Sequence, residues 1–220
     1  MIYHYTKFDF ALDDIKNQYI KICTLDSVND PYEWVPCVLD DNGQPLDPEI
    51  IRTEWLKKYS ARVGFVSFST AITSPAMWGY YGNKHNGAAL GFNLQKLPLK
   101  MNYTNSRVNV FSRDLVNGSD ILTNVFDELV KQKGACWQHE EEYRIVVHIP
   151  TSATLKKENC WFTTIKNTFD LQRVVLGYKC SKTQACDMRN ALDSVGLSHV
   201  RVYGSRICKA DFLIDSYEWM

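Results

Sequence analysis

The stretch Trp137-Gln-His-Glu-Glu-Glu-Tyr-Arg-Ile-Val-Val-His-Ile-Pro150 holds the residue types best suited to chemistry. Tyr143, Ile145, Val147 and Ile149 recur at every second position, the period of a half-buried strand. Glu140, Glu142, Arg144, Val146 and His148 then share the opposite face, about 7 Å apart at a rise of roughly 3.3 Å per residue. Two carboxylates and a guanidinium running into apolar Val146 form either a buried ion-pair network or the edge of an active site. In an active site, a fixed carboxylate stabilises developing positive charge and a second one takes a proton.

Five other segments offer polar groups that could join this row. In Ser27-Val-Asn-Asp-Pro-Tyr-Glu33, Pro31 keeps Asp30 extended, so a rigid turn presents Asp30 and Glu33. Strand 63–70 places Phe65, Ser67 and Ser69 on one face, where small hydroxyls leave room beside them. Ser74 caps a short helix started by Pro75, which groups Met77, Trp78 and Tyr81 while Tyr80 turns aside. His85 lies in the turn 83–87, and His4 lies on the first strand with Ile2, opposite Tyr3 and Tyr5. A lone histidine among aromatics is most often a hydrogen-bonded core residue.

The elements that must position these groups alternate irregularly. Helical spacing covers 8–17, 48–62, 120–132 and 182–194, the last closed by Gly196; strands are expected at 2–6, 19–23, 63–70, 88–93, 100–104, 107–111, 143–149, 161–165, 171–178, 200–203 and 211–217, and a solvated loop at 151–159. Helices are too few for a doubly wound parallel sheet, so one α+β domain over 1–220 is expected, with a mainly antiparallel, curved or split sheet and flanking helices.

Composition narrows the function classes. Lys plus Arg and Asp plus Glu number 25 each, so no net field draws the chain to nucleic acid or an anionic membrane. No apolar run reaches the roughly 18 residues of a membrane span, and the N-terminus lacks a basic-then-apolar leader, so a cytoplasmic protein without a membrane partner is expected. Seven scattered cysteines give no disulfide framework. Cys136-x-x-His139 is the only pair at metal-like spacing and has no second pair, so no metal is expected.

Tyr3-His4-Tyr5, Asn29-Asp30-Pro31-Tyr32-Glu33, Phe65-Val66-Ser67-Phe68-Ser69, Met77-Trp78-Gly79-Tyr80-Tyr81 with His85-Asn86-Gly87, Trp137-x-x-Glu140-x-Glu142-Tyr143-Arg144 and Val174-Val-Leu-Gly177 together resemble, in order, the bacterial domain-of-unknown-function family two-nine-seven-one. The resemblance spans nearly the whole chain, and the tryptophan, glutamate, glutamate, arginine run is its most specific part. His85-Asn86-Gly87 departs from the pattern, in which a basic residue often stands at position 86.

The order of motifs is also similar to that of ADP-ribosyltransferases. That likeness implies NAD as substrate, cleavage of its nicotinamide ribosyl bond, and transfer of ADP-ribose to a protein or nucleic-acid acceptor. It implies Glu142 as the carboxylate facing an oxocarbenium-like state and Glu140 as the residue orienting or deprotonating the acceptor. Trp78 or Tyr81 would stack on nicotinamide, and His4 would bond a ribose hydroxyl or phosphate. Two features depart from that pattern: no glycine-rich phosphate loop is present, and Arg144 stands where it can neutralise Glu142. Two further readings follow from the residues themselves. One is another enzyme acting on nucleotide or nucleic acid through Asp30, Glu33, His85 and Glu140; the other is a non-catalytic binding or regulatory module in which the Glu/Arg row is structural.

Overall fold

The structure is a computed structural model that describes residues 1–94, 98–117, 125–151, 154–165 and 169–219. Its strands are β1 Ile2–Lys7, β2 Tyr19–Thr24, β3 Cys37–Leu39, β4 Val63–Ser69, β5 Gly87–Leu94, β6 Leu99–Lys100, β7 Asn102–Thr104, β8 Asn109–Phe111, β9 Gln132–Gly134, β10 Glu142–His148, β11 Thr154–Lys157, β12 Cys160–Thr164, β13 Phe169–Leu176, β14 Arg201–Ile207 and β15 Ile214–Glu218. The helices are α1 Phe8–Asn17, α2 Pro48–Tyr59, α3 Pro75–Tyr80, α4 Ser112–Asn117 and α5 Lys182–Ser194, with a further helical turn at 125–129 and a 3-10 helix at Ala135–Glu140. The first part of the helix expected at 120–132 lies outside the described residues.

Among the described residues, one large sheet runs β11-β12-β2-β4-β1-β5-β13-β14-β15, with β10 paired along the length of β4 and β6 paired to β10. The sheet is mixed. Most neighbours are antiparallel, but β13 and β14 are parallel because α5 carries the chain back over the sheet between them. The small pairs β3/β8 and β7/β9 are also parallel. Two expectations at the far edge are corrected. Residues 154–157 are a strand, not a solvated loop, because they form an antiparallel hairpin with β12; the last strand begins at Ile214, while 209–212 form the bend before it.

One face of the sheet packs on α1 and α5. Phe8, Ala11 and Ile15 recur at helical spacing and meet Ala185, Met188 and Leu192 over Leu90, Phe92, Val174 and Val202. Ser181 and Gln184 close a reciprocal capping box at the start of α5, which satisfies two otherwise orphaned backbone donors. On the other face α3 lays Met77 and Trp78 over Tyr3, Tyr5, Ala89 and Val175. Trp34, Trp55, Phe65 and Leu129 make a separate cluster under α2. Fully burying a Leu, Ile or Phe side chain contributes roughly 1.5–3 kcal/mol, so these clusters carry most of the fold's stability.

A single register row crosses the sheet: Glu142 on β10, Ser69 on β4, Tyr3 on β1, Gly91 on β5, Arg173 on β13 and Arg201 on β14. Residues in one row point to the same side. This row fixes which side chains can meet Glu142.

Asp14 lies on the buried side of α1 and is 4% exposed. Burial, reinforced by the neighbouring Asp13 charge, pushes its carboxyl up to about 7 from an ordinary 3.8. The folded state thus holds a proton that the unfolded chain gives up, so stability falls as pH rises from about 4 to about 7. Asp14→Asn should raise the melting temperature at pH 8, by at most about 4 kcal/mol in unfolding free energy, and leave it nearly unchanged at pH 4. Thermal melts of both proteins across that range check this.

A candidate ligand site beside a buried ion network

The first turn of β10 is shaped by Glu141. The 3-10 helix ends there in a left-handed residue, φ 44°, and the strand begins one residue later. Glu140 is therefore not on the strand, as strict alternation had it. The corner brings its carboxylate round to the same point as that of Glu142. Thr70 holds the corner by donating to Glu141 Oε2 at 2.6 Å.

Between the two carboxylates stands Lys133 of β9, whose ammonium bonds Glu140 Oε2 and lies 3.0 Å from Glu142 Oε2. Arg144 donates Nε to Glu142 Oε1 at 2.8 Å and Nη2 to Oε2 at 2.9 Å. The same guanidinium makes a bidentate pair with Glu33, at 2.6 and 2.8 Å, and lies 4.2 Å from the Phe65 ring centroid. Ser67 Oγ donates to Glu142 Oε1 at 2.6 Å, and the Glu142 backbone N–H to Tyr103 at 2.7 Å. Tyr81 donates to Glu140 Oε1 and accepts from Asn29 at 3.0 Å.

Arg144 is 1% exposed, Glu33 3%, Glu140 3%, Glu142 4% and Lys133 6%. Three carboxylates thus face two cations shielded from bulk solvent, an arrangement stable only if every lone pair and proton is used. The proton affinities divide accordingly. Burial alone would raise Glu142, but Arg144, Lys133 and Ser67 outweigh it and hold the carboxyl down at about 2. For Glu140 burial wins over the Lys133 and Tyr81 bonds, and its carboxyl is pushed up. Burial and the Glu140 charge push the Tyr81 phenol up as well, and burial raises that of Tyr103 to about 12.

Seven of the residues singled out by sequence take part in this assembly: Glu140, Glu142, Arg144, Glu33, Ser67, Ser69 and Tyr81. Ser69 donates to the Glu140 carbonyl and accepts from Ala71 N–H, so it fixes the corner without touching a carboxylate. Asp30 is buried beside them as a turn residue, its carboxylate accepting the Tyr32 N–H at 2.9 Å. Asp30 and Glu33 are therefore far from solvated, and the turn is tied to β10 through Arg144.

Three of the expected site residues lie apart from this assembly. His4 is one residue from Tyr3, which shares a side with Ser69 and Glu142, so His4 points to the opposite side of the sheet. There Nδ1 lies 3.0 Å from the Ser67 carbonyl and the ring stands edge-on to Phe68; burial lowers its pKa, the carbonyl bond opposing. Trp78 has no exposed surface, packs edge-on against Tyr5 and donates to the Ile72 carbonyl, so it offers no stacking platform. His85 belongs to a left-handed turn docked on the end of β13, where its ring meets Tyr178 and its carbonyl accepts from Lys179.

Lys133, Tyr103 and Asn29 were missed as partners. Lys133 follows the helical periodicity that ends near 132, and nothing in its local sequence marks it as buried. Among the described residues no group of three or more histidines, cysteines or carboxylates is placed to hold a metal ion, and no helix is long and apolar enough to cross a membrane.

Glu142 and Tyr103 also border a cavity of about 440 Å3 lined by Thr70, Lys100, Asn102, Gln138 and Glu141. Its walls combine a cation, two carboxylates, two amides and hydroxyls. No family model, curated protein or solved structure matches the chain.

Glu142→Gln should destabilise the protein by roughly 3–5 kcal/mol, because it leaves Arg144 and Lys133 buried with too little negative charge. The sign with pH follows from the lowered carboxyl. The contribution of Glu142 is full above about pH 4.5 and lost as pH falls towards 2. Urea unfolding at pH 7 and pH 3 measures both, with the loss in the variant shrinking at the lower pH.

Proposed function

We propose that the chain is a binding or regulatory module whose Glu/Arg/Lys network is structural, and that it takes a small polar ligand of nucleotide class in the cavity over the start of β10. The observation that carries this reading is the saturation of Glu142. Both of its oxygens accept two hydrogen bonds from protein donors, at 2.6 to 3.0 Å. A carboxylate with no free lone pair is a poor partner for a reacting ribose. The cavity beside it suits a nucleotide: Lys100 meets a phosphate, while Asn102, Gln138 and Glu141 bond ribose hydroxyls or a base edge.

One observation favours a second reading, ADP-ribosyl transfer from NAD to an acceptor. Glu142 stays ionised and borders the cavity, with Glu140 next to it and readier to hold a proton. That pairing of a charged and a protonatable carboxylate suits cleavage of a nicotinamide ribosyl bond. The side chains of His4 and Trp78 take no part in it.

Calorimetric titration with NAD and with AMP, run beside an assay of nicotinamide release, separates the two. Binding without release is expected, with Lys100→Ala and Gln138→Ala each weakening it roughly threefold to tenfold. Nicotinamide release that disappears in a folded Glu142→Gln variant would establish the transferase reading instead. Absence of binding by either nucleotide would remove the nucleotide ligand.

A further inference from the structure

At the other end of the register row that starts at Glu142, Arg173 lies between two tyrosines. Its guanidinium carbon is 5.1 Å from the Tyr3 ring centroid and 5.4 Å from that of Tyr203. Among the described residues it forms no salt bridge and its Nε is buried without a partner, as is the hydroxyl of Tyr3, a residue only 3% exposed. Unpartnered buried donors are costly, and two at one place need a reason.

The backbone is arranged for this arginine. The β5/β13 register shifts between Leu171 and Arg173, a bulge of the kind that re-aims a side chain. Gly91, opposite on β5, leaves the space: a Cβ there would lie 3.0 Å from both Arg173 Cγ and Tyr3 Cε1. Arg201 stands in register with Arg173 on the parallel neighbour β14, with strands about 4.8 Å apart, so two guanidinium-bearing residues share one face side by side. Among the described residues Glu218 pairs with Arg201, at 3.6 Å on the exposed surface, and not with Arg173. Arg173 is thus left beside a second guanidinium whose own carboxylate partner is exposed to solvent.

We propose that Arg173, with Arg201 and the Tyr3 hydroxyl, forms a binding site for the phosphate group of a small molecule. Phosphate fits better than a carboxylate because it offers more acceptor oxygens, which take bonds from Nε, the Nη groups and a phenol together. Stacking of Arg173 on the tyrosine rings orients its donors in advance and lowers the entropy cost of binding. The site stands on its own residues and is independent of the cavity beside Glu142.

The test is the melting temperature of the whole chain against inorganic phosphate and against AMP at low millimolar concentration and constant ionic strength, with acetate and chloride as controls. A ligand at a hundredfold excess over its Kd should raise it by roughly 5–10 °C. The rise should be abolished in Arg173→Gln, reduced in Arg201→Gln and Tyr3→Phe, and absent with acetate. Response to inorganic phosphate alone would identify a free-phosphate site, and a stronger response to AMP a phosphate-ester site. If Arg173→Gln does not fold, Arg201→Gln decides, since that side chain is exposed and its loss leaves the core intact. No phosphate response in the wild type, a response equal to that of acetate, or an undiminished response in the Arg201 variant would each overturn the proposal.

Discussion

The desolvated guanidinium of Arg144, shared between Glu33 and Glu142, is the constraint on which the rest of this structure depends. A charge with 1% exposure is tolerable only with complementary charge on every side. That requirement pulls the turn at 29–33 down onto β10, although 111 positions separate Glu33 from Arg144. Lys133 then ties β9 to the same point, and Tyr81 ties the end of α3 to it through Glu140. Segments distant in sequence are thereby fixed to one corner of the sheet. Replacing such a network by apolar side chains is often neutral or stabilising, whereas breaking one partner is not. The network is accordingly better read as a device that specifies one packing than as a source of net stability.

The arrangement also leaves Glu142 without a free lone pair, although it borders a cavity. The donors that keep Glu142 ionised are the same groups that use up its lone pairs. The neighbouring cavity borrows the field of the network, while its hydrogen-bonding walls come from Lys100, Asn102, Gln138 and Glu141. Along the same row, past Ser69, Tyr3 and Gly91, Arg173 has tyrosine faces but no carboxylate partner among the described residues. One side of the sheet thus holds a saturated ionic cluster at one end and, near the other, a guanidinium stacked on tyrosines.

Much of this was legible in the sequence where local patterns decide. The bounds of α1 and α5, the strand character of β4 and β10, and the cap and proline that start α3 follow from periodicity and end signals alone. The two-sided split of β1, with His4 opposite Tyr3 and Tyr5, was also legible. Which of those sides meets Glu142 was not, because it depends on Tyr3 pairing with Ser69, a contact between strands 66 positions apart. Strict alternation misplaced Glu140, since a single left-handed residue at Glu141 breaks the strand one step before Glu142. Lys133 gave no local signal; its burial is set by two carboxylates that the chain reaches only later. The hairpin strand β11 was hidden because its residues are mostly exposed and polar, and pairing with β12 alone makes it a strand.

The central claim is that Glu33 and Arg144 form a buried structural pair, and a double-mutant cycle with Glu33→Gln and Arg144→Gln measures their coupling most directly. Each single variant should lose several kcal/mol of unfolding free energy, and the double variant should recover a coupling at the upper end of the roughly 0.5–3 kcal/mol range for residues in one network. Strictly additive losses, or single variants that unfold within about 0.5 kcal/mol of the wild type, would contradict it.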